Sequence, residues 1–355
     1  MGEPSHKVSR RYRRARRRLR NRRGVVAVIG TLLALLVFFT LFGVFVTQYL
    51  PLWMTENESA FSSSADLAFS NFKSAVDAQY QLGGPQTIGV PFTLSSASVP
   101  LLAQPTEGIL EFLPSGCAKG FNLTDAGYAK GIGQPVNPAG CMFVNISLQV
   151  GPGGSGFFSQ RIATGVVQMV LPNRYYTPET YFYEDDAVIE SQPGGYQVMD
   201  VNSPLNVTHT GAGNTTVSTS LLQLYGNESS IVGLGSQDLY SHYRYSQPVT
   251  SNGVYVAANM TYQPFTFAFE IGTQYPCAWW SFLNTVAGYS GLAKTDWKLT
   301  QLSPGTNSTS TTAPTTATCS SGSGATTVLT LTVANVNYAQ YYFAGAVVST
   351  GVAGT

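Results

Sequence analysis

Residues 10–50 read RRYRRARRRLRNRRGVVAVIGTLLALLVFFTLFGVFVTQYL, and this stretch decides the architecture. No ionisable side chain occurs from Gly24 to Gln48. As a helix, such a run of about 25 residues covers roughly 37 Å, enough to cross a hydrocarbon core with some tilt. A single segment cannot close a barrel, so a helix is the form that satisfies its backbone in lipid. Tyr49 and Trp53 stand at its far end, where amphipathic rings favour the interface, and Pro51 predicts a bend there.

Working outward, the charge is divided unequally. The formal net charge of +1 hides eleven of the nineteen Lys and Arg residues within positions 1–23, leaving eight basic against seventeen acidic side chains in the remainder. Basic residues on one side of an apolar run orient it, so 1–24 is expected to be a cytoplasmic leader and the rest external. Because the arginines abut the span, orientation and contact with membrane lipid account for them, and nucleic acid is not expected as a partner. The apolar run is too long for a secretory signal, and no small-residue cleavage site follows it. With only 10% charged residues, the chain does not read as a cytosolic enzyme.

Arg22-Arg23-Gly24 followed by Val25-Val26-Ala27-Val28-Ile29-Gly30 resembles the class III signal sequence of archaeal type IV pilins and archaellins. The resemblance covers about residues 20–60. It implies cleavage between Gly24 and Val25 by a prepilin peptidase-like enzyme, followed by packing of the helix against like subunits. Bacterial pilins usually carry Glu at the fifth mature position, which is Ile29 here, so the archaeal form is the nearer one.

Residues 54–80 contain no Gly or Pro, and Phe61, Leu67, Phe69, Phe72, Val76 and Tyr80 recur at mostly three- or four-residue steps once Phe69 is counted as a flank. They predict that the helix, 25–80 in all, continues outward as a stalk, with Glu56 and Glu58 favouring a helix start after Pro51. Gly83-Gly84-Pro85 ends it. From 86 to 355 the chain alternates short Val-, Thr-, Tyr- and Phe-rich segments with Gly, Pro, Asn and Ser, which predicts antiparallel strands. The fold class is therefore α+β: a long N-terminal transmembrane and stalk helix, then a β-rich, sandwich-like ectodomain of one or two units. Residues 303–324 are Ser/Thr-rich and read as a mobile surface loop.

Eight N-x-Ser/Thr sequons begin at Asn57, Asn122, Asn145, Asn206, Asn214, Asn227, Asn259 and Asn307, all on the side expected to be external, and predict N-glycosylation. Cys117, Cys141, Cys277 and Cys319 lie on that side too and predict disulfides, with three pairings open. Glu184, Asp185 and Asp186 form the one acidic cluster; they read as a solvated turn rather than a calcium site. No GxSxG, HExxH or phosphate-binding glycine motif occurs, so neither catalysis nor a cofactor or metal is expected. Three functions remain: a pilin-like structural or adhesive surface protein, a solitary membrane-anchored binding ectodomain, or a surface hydrolase with a dispersed site.

Overall fold

The computed structural model describes residues 28–82, 86–99, 103–114, 142–150, 157–210, 213–245, 254–257, 265–302, 309–315, 319 and 326–350. The leader, Gly24, Val25, Cys117, Cys141, Asn122, Asn259 and Asn307 lie outside the described residues. A single helix, α1 (Val28–Leu82), leads into a β-rich domain containing two sheets.

Helix α1 runs through Pro51 without ending there. The turn before the proline, Phe45–Tyr49, is π-helical, and Leu50 N–H donates to the Phe45 carbonyl. Proline has no N–H for the carbonyl four residues back, and a wider turn accommodates that loss within the helix. Beyond it, Met54, Glu58, Phe61, Ala65, Phe69, Phe72, Val76 and Gln79 are buried at three- and four-residue steps. This half of the helix is therefore embedded in the head, where the sequence predicts a projecting stalk.

The larger sheet runs β1 (Thr87–Thr93), β12 (Ser236–Tyr245), β16 (Thr327–Thr350), β14 (Phe265–Thr273), β3 (Phe143–Val150) and β4 (Phe157–Ala163). Strands β10 (Asn214–Tyr225), β13 (Val254–Ala257) and β15 (Trp297–Leu302) also pair with β16, and β9 (Asn206–Thr210) pairs with β10. The smaller sheet runs β11 (Ser229–Val232), β2 (Ile109–Leu113), β5 (Val166–Leu171), β6 (Glu179–Glu184), β7 (Ala187–Gln192) and β8 (Tyr196–Val201).

Strand β16 is the spine. Its first half lies antiparallel to β14 and β15, and its second half antiparallel to β12 and β13. Asn335, at φ 57°, sits where the pairing shifts between halves, a conformation asparagine tolerates better than most residues. The second half is also parallel to β10. This corrects the expectation of antiparallel strands throughout. A parallel pair needs a long crossover, and short-range alternation carries no trace of one.

A second helix, α2 (Pro276–Tyr289), interrupts the strands expected in this region. Pro276 occupies the first turn, where its missing N–H costs nothing, and Ala278, Trp279, Phe282, Leu283 and Ala287 form the buried stripe. Cys277 at its start is bonded to Cys319, with Cα atoms 5.7 Å apart, which selects this pairing. Cys319 belongs to the Ser/Thr-rich segment and is buried, so that segment is tethered at this point.

Alternate residues of β6 and β7 enter different cores. Tyr181, Tyr183 and Val188 join the cluster under α1, with Phe69, Phe72 and Phe92. Phe182, Ala187 and Ile189 join a second cluster containing Trp279, Phe269 and Leu331. Burial on both faces explains why the flanks of the turn, Tyr181-Phe182-Tyr183 and Ala187-Val188-Ile189, are continuous apolar runs instead of alternating. The segment TYFYEDDAVIE is a hairpin, with its turn where the acidic residues predict one.

Phe69 has no exposed surface and contacts Phe92 edge-on at 5.1 Å between ring centroids. Phe69→Ala should cost about 3–5 kcal/mol, whereas Leu67→Ala on the exposed side of the same helix should cost about 0.5 kcal/mol or less. Urea denaturation of the full chain in detergent, followed by tryptophan fluorescence, measures both.

Candidate functional site: one helix with two environments

The environment of α1 changes at Leu50. From Val28 to Tyr49 its Leu, Phe, Val and Ile side chains project into open space, with Leu32, Leu36, Phe38 and Leu41 each about 60% or more exposed. Its hydroxyls are internally satisfied: Thr31 donates to the Val28 carbonyl at 2.9 Å, Thr40 to Val37 at 2.8 Å, and Thr47 to Gly43 at 2.8 Å. A segment of 22 residues spans about 33 Å, and none of its threonine hydroxyls is left asking for water. This half is long and apolar enough to cross a membrane.

Below Leu50 the buried stripe carries polar side chains, each with a partner on the head. Glu58 accepts hydrogen bonds from the backbone N–H groups of Arg174, Tyr175 and Tyr176 and from the Thr106 hydroxyl. Burial acts most strongly on this carboxyl and would raise its pKa, but the four donors together outweigh it and hold the pKa below the usual value. Glu58 is thus a clamp on the 174–176 loop. It is not a charge at a helix start, since α1 begins well before it.

Ser62 donates to Glu179 and lies 3.1 Å from the Tyr181 hydroxyl. Lys73 places its ammonium 2.6 Å from Asp186 and 3.2 Å from Asp77. Gln79 donates to the carbonyls of Ser241 at 2.7 Å and Gln86 at 3.1 Å, and accepts from the Ser241 hydroxyl. Sequence reading missed these anchors, although Glu58, Ser62 and Lys73 share the helical spacing of the apolar stripe. Polar residues in phase with a buried face were the available signal.

The Glu184-Asp185-Asp186 segment is a turn, but a buried one. Asp185 and Asp186 have φ 45° and 62° and make the two-residue tip of the β6–β7 hairpin, as a type I′ turn requires. None of the three exposes surface, which corrects the solvated reading. The tip is covered because β6 and β7 are buried on both faces and α1 closes over their ends. Glu184 accepts from the Thr273 hydroxyl at 2.8 Å and the Trp279 indole at 3.2 Å; Asp186 accepts from Tyr183 at 3.1 Å and Ser220 at 3.2 Å. Among the described residues no group of acidic, His or Cys side chains has the arrangement of a metal site.

The other sequence-derived residues are dispersed. Asn206, Asn214 and Asn227 are exposed on β9, β10 and the segment after β10, and Asn57 is half-buried on α1 with its amide donating to the Ala97 carbonyl at 3.3 Å. Asn145 is buried on β3 with its amide 2.9 Å from Glu270. Beside the Cys277–Cys319 bond, Gln197 accepts from Cys277 N–H and donates to the Cys319 carbonyl. A cleft of about 510 Å³ opens there, lined by Gln168, Glu179, Gln192, Gln197, Gln274 and Tyr275 among others. No protein-family model, curated protein or solved structure matches the chain.

Removing the clamp leaves three part-buried backbone donors of the 174–176 loop without their acceptor. Glu58→Ala should cost roughly 1.5–3 kcal/mol at pH 6. Since the folded pKa is depressed, the carboxylate stabilises the fold above its ordinary range and ceases to do so as pH falls through the folded value. The difference between variant and wild type, read from urea midpoints, should therefore shrink below about pH 4.

Proposed function

We propose that this chain is an archaeal type IV pilin-like cell-surface protein, structural or adhesive, anchored or assembled through its N-terminal helix. The leader, residues 1–24, is cytoplasmic until a prepilin peptidase-like enzyme removes it after Gly24. The apolar half of α1 then lies in the membrane or against the same half of like subunits, and the sandwich-like, glycosylated head faces outward. The observation that carries this reading is the change of environment along one helix: apolar and exposed from Val28 to Tyr49, pinned into the head from Leu50 to Gln79. An apolar surface of that size has to be covered in use, and lipid or another such helix covers it without unsatisfied polar groups.

A solitary membrane-anchored binding ectodomain is the second reading. The cleft beside the disulfide favours it, because its glutamines and Glu179 offer hydrogen-bonding groups next to Tyr275.

Mass spectrometry of protein from native membrane and surface fractions separates the two. The pilin-like reading expects a mature N-terminus at Val25, together with glycan on the exposed Asn206, Asn214 and Asn227 and none on buried Asn145. An intact leader on all of the surface protein would refute processing and favour the solitary anchor.

A further inference from the structure

We propose that the β6–β7 hairpin tip is a proton-loaded seat for α1: the folded head retains carboxyl protons on Glu184, Asp185 and Asp186 that the unfolded chain releases, so the head is firmest in acid.

The geometry carries this. The three carboxyl groups of the tip face a single ammonium: Lys73 pairs with Asp186 and with Asp77 of its own helix and favours the charge of Asp185, while Glu184 is held by Thr273 and Trp279 instead. Neither Asp185 oxygen makes a hydrogen bond of normal geometry, though the Leu222 backbone N–H favours its charge; Glu184 Oε1 and Asp77 Oδ1 are also unpartnered. The remaining neighbours are neutral: Tyr80 from α1, Tyr183 from β6, Ser220 from β10, Thr273 from β14, Tyr275 and, on α2, Trp279. Fully ionised, the three buried carboxylates would face one ammonium and leave two negative charges uncompensated, and a carboxyl in such a place takes up a proton instead.

The electrostatics agree. Burial pushes the pKa of Glu184 up to about 7, against the opposing hydrogen bonds from Thr273 and Trp279. Burial also raises Asp186 despite Lys73, and burial with the adjacent Asp186 raises Asp185 well above its usual range. With folded pKa values raised, the stabilisation is complete below about pH 4, where both states are protonated. It declines as pH rises, because the unfolded chain gives up protons that the fold keeps. Each such proton lowers the folding constant about tenfold per pH unit until the folded pKa is reached. Glu58 works in the opposite sense only at the acid end, so the head is firmest in mild acid.

The test is urea denaturation of the full chain in detergent between pH 4.5 and 8.5, for wild type, Asp185→Asn and Glu184→Gln. The wild-type midpoint should fall with rising pH, and each variant should lose part of that slope. Asp66, Glu190 and Asp200 shift in the same direction, so the slope lost on substitution is the diagnostic quantity. A wild-type midpoint that is flat or rises, or variants with the full wild-type slope, would overturn the proposal. Should the variants not fold, proton uptake on refolding at pH 6 is measured with Asp66→Asn, Glu190→Gln and Asp200→Asn combined, which removes the other raised carboxyls: roughly one proton or more per chain supports the seat, and none refutes it.

Discussion

Lys73 reaches from α1 into the interior and sets its ammonium against Asp186, at the tip of a hairpin that solvent does not touch. That tip is also where Ser220 of β10, Thr273 of β14 and Trp279 of α2 converge, through hydrogen bonds to Asp186 or Glu184. Both cores therefore meet at one polar point. An apolar tip would pack with less electrostatic cost, but it would leave the register of α1 free to slide along a stripe of Phe and Ala. Specific partners at Glu58, Ser62, Lys73 and Gln79 fix that register over about six turns.

A helix held at a fixed register below Leu50 and continuous above it is a rigid coupling between the head and whatever surrounds residues 28–49. The position where a hinge is expected, before Pro51, instead holds a π turn with an intact backbone hydrogen bond. Force or displacement on the apolar half would then reach the head through α1 itself. The buried carboxyl cluster lies on this path, because Lys73 joins α1 to the hairpin tip through Asp186.

Much of this was legible in sequence. The apolar run, the absence of Gly and Pro in 54–80 and the strand-like vocabulary beyond residue 86 give a helix followed by a β-rich domain, because these are local signals of composition and period. Burial is not local. TYFYEDDAVIE holds three consecutive acids, ordinarily a mark of solvent, and only the closure of α1 and the larger sheet over both faces of β6 and β7 buries them. Likewise Glu58 read as a helix-start charge because Pro51 suggested a break, while its partners lie 116–118 residues away on the 174–176 loop. The parallel pairing of β10 with β16 and the Cys277–Cys319 bond are also long-range choices, invisible to periodicity. Helix α2 was different: its Trp279, Phe282, Leu283 and Ala287 carry helical spacing that a strand-dominated context obscured.

The central claim is that α1 passes from an apolar surrounding into the head at Leu50. Nitroxide labels placed one at a time at Leu36 and Leu67, both on exposed faces of α1, test it in lipid nanodiscs through their collision rates with oxygen and with a water-soluble nickel complex. The account predicts a Leu36 label shielded from nickel and a Leu67 label open to it. Equal access to nickel at the two positions would contradict it.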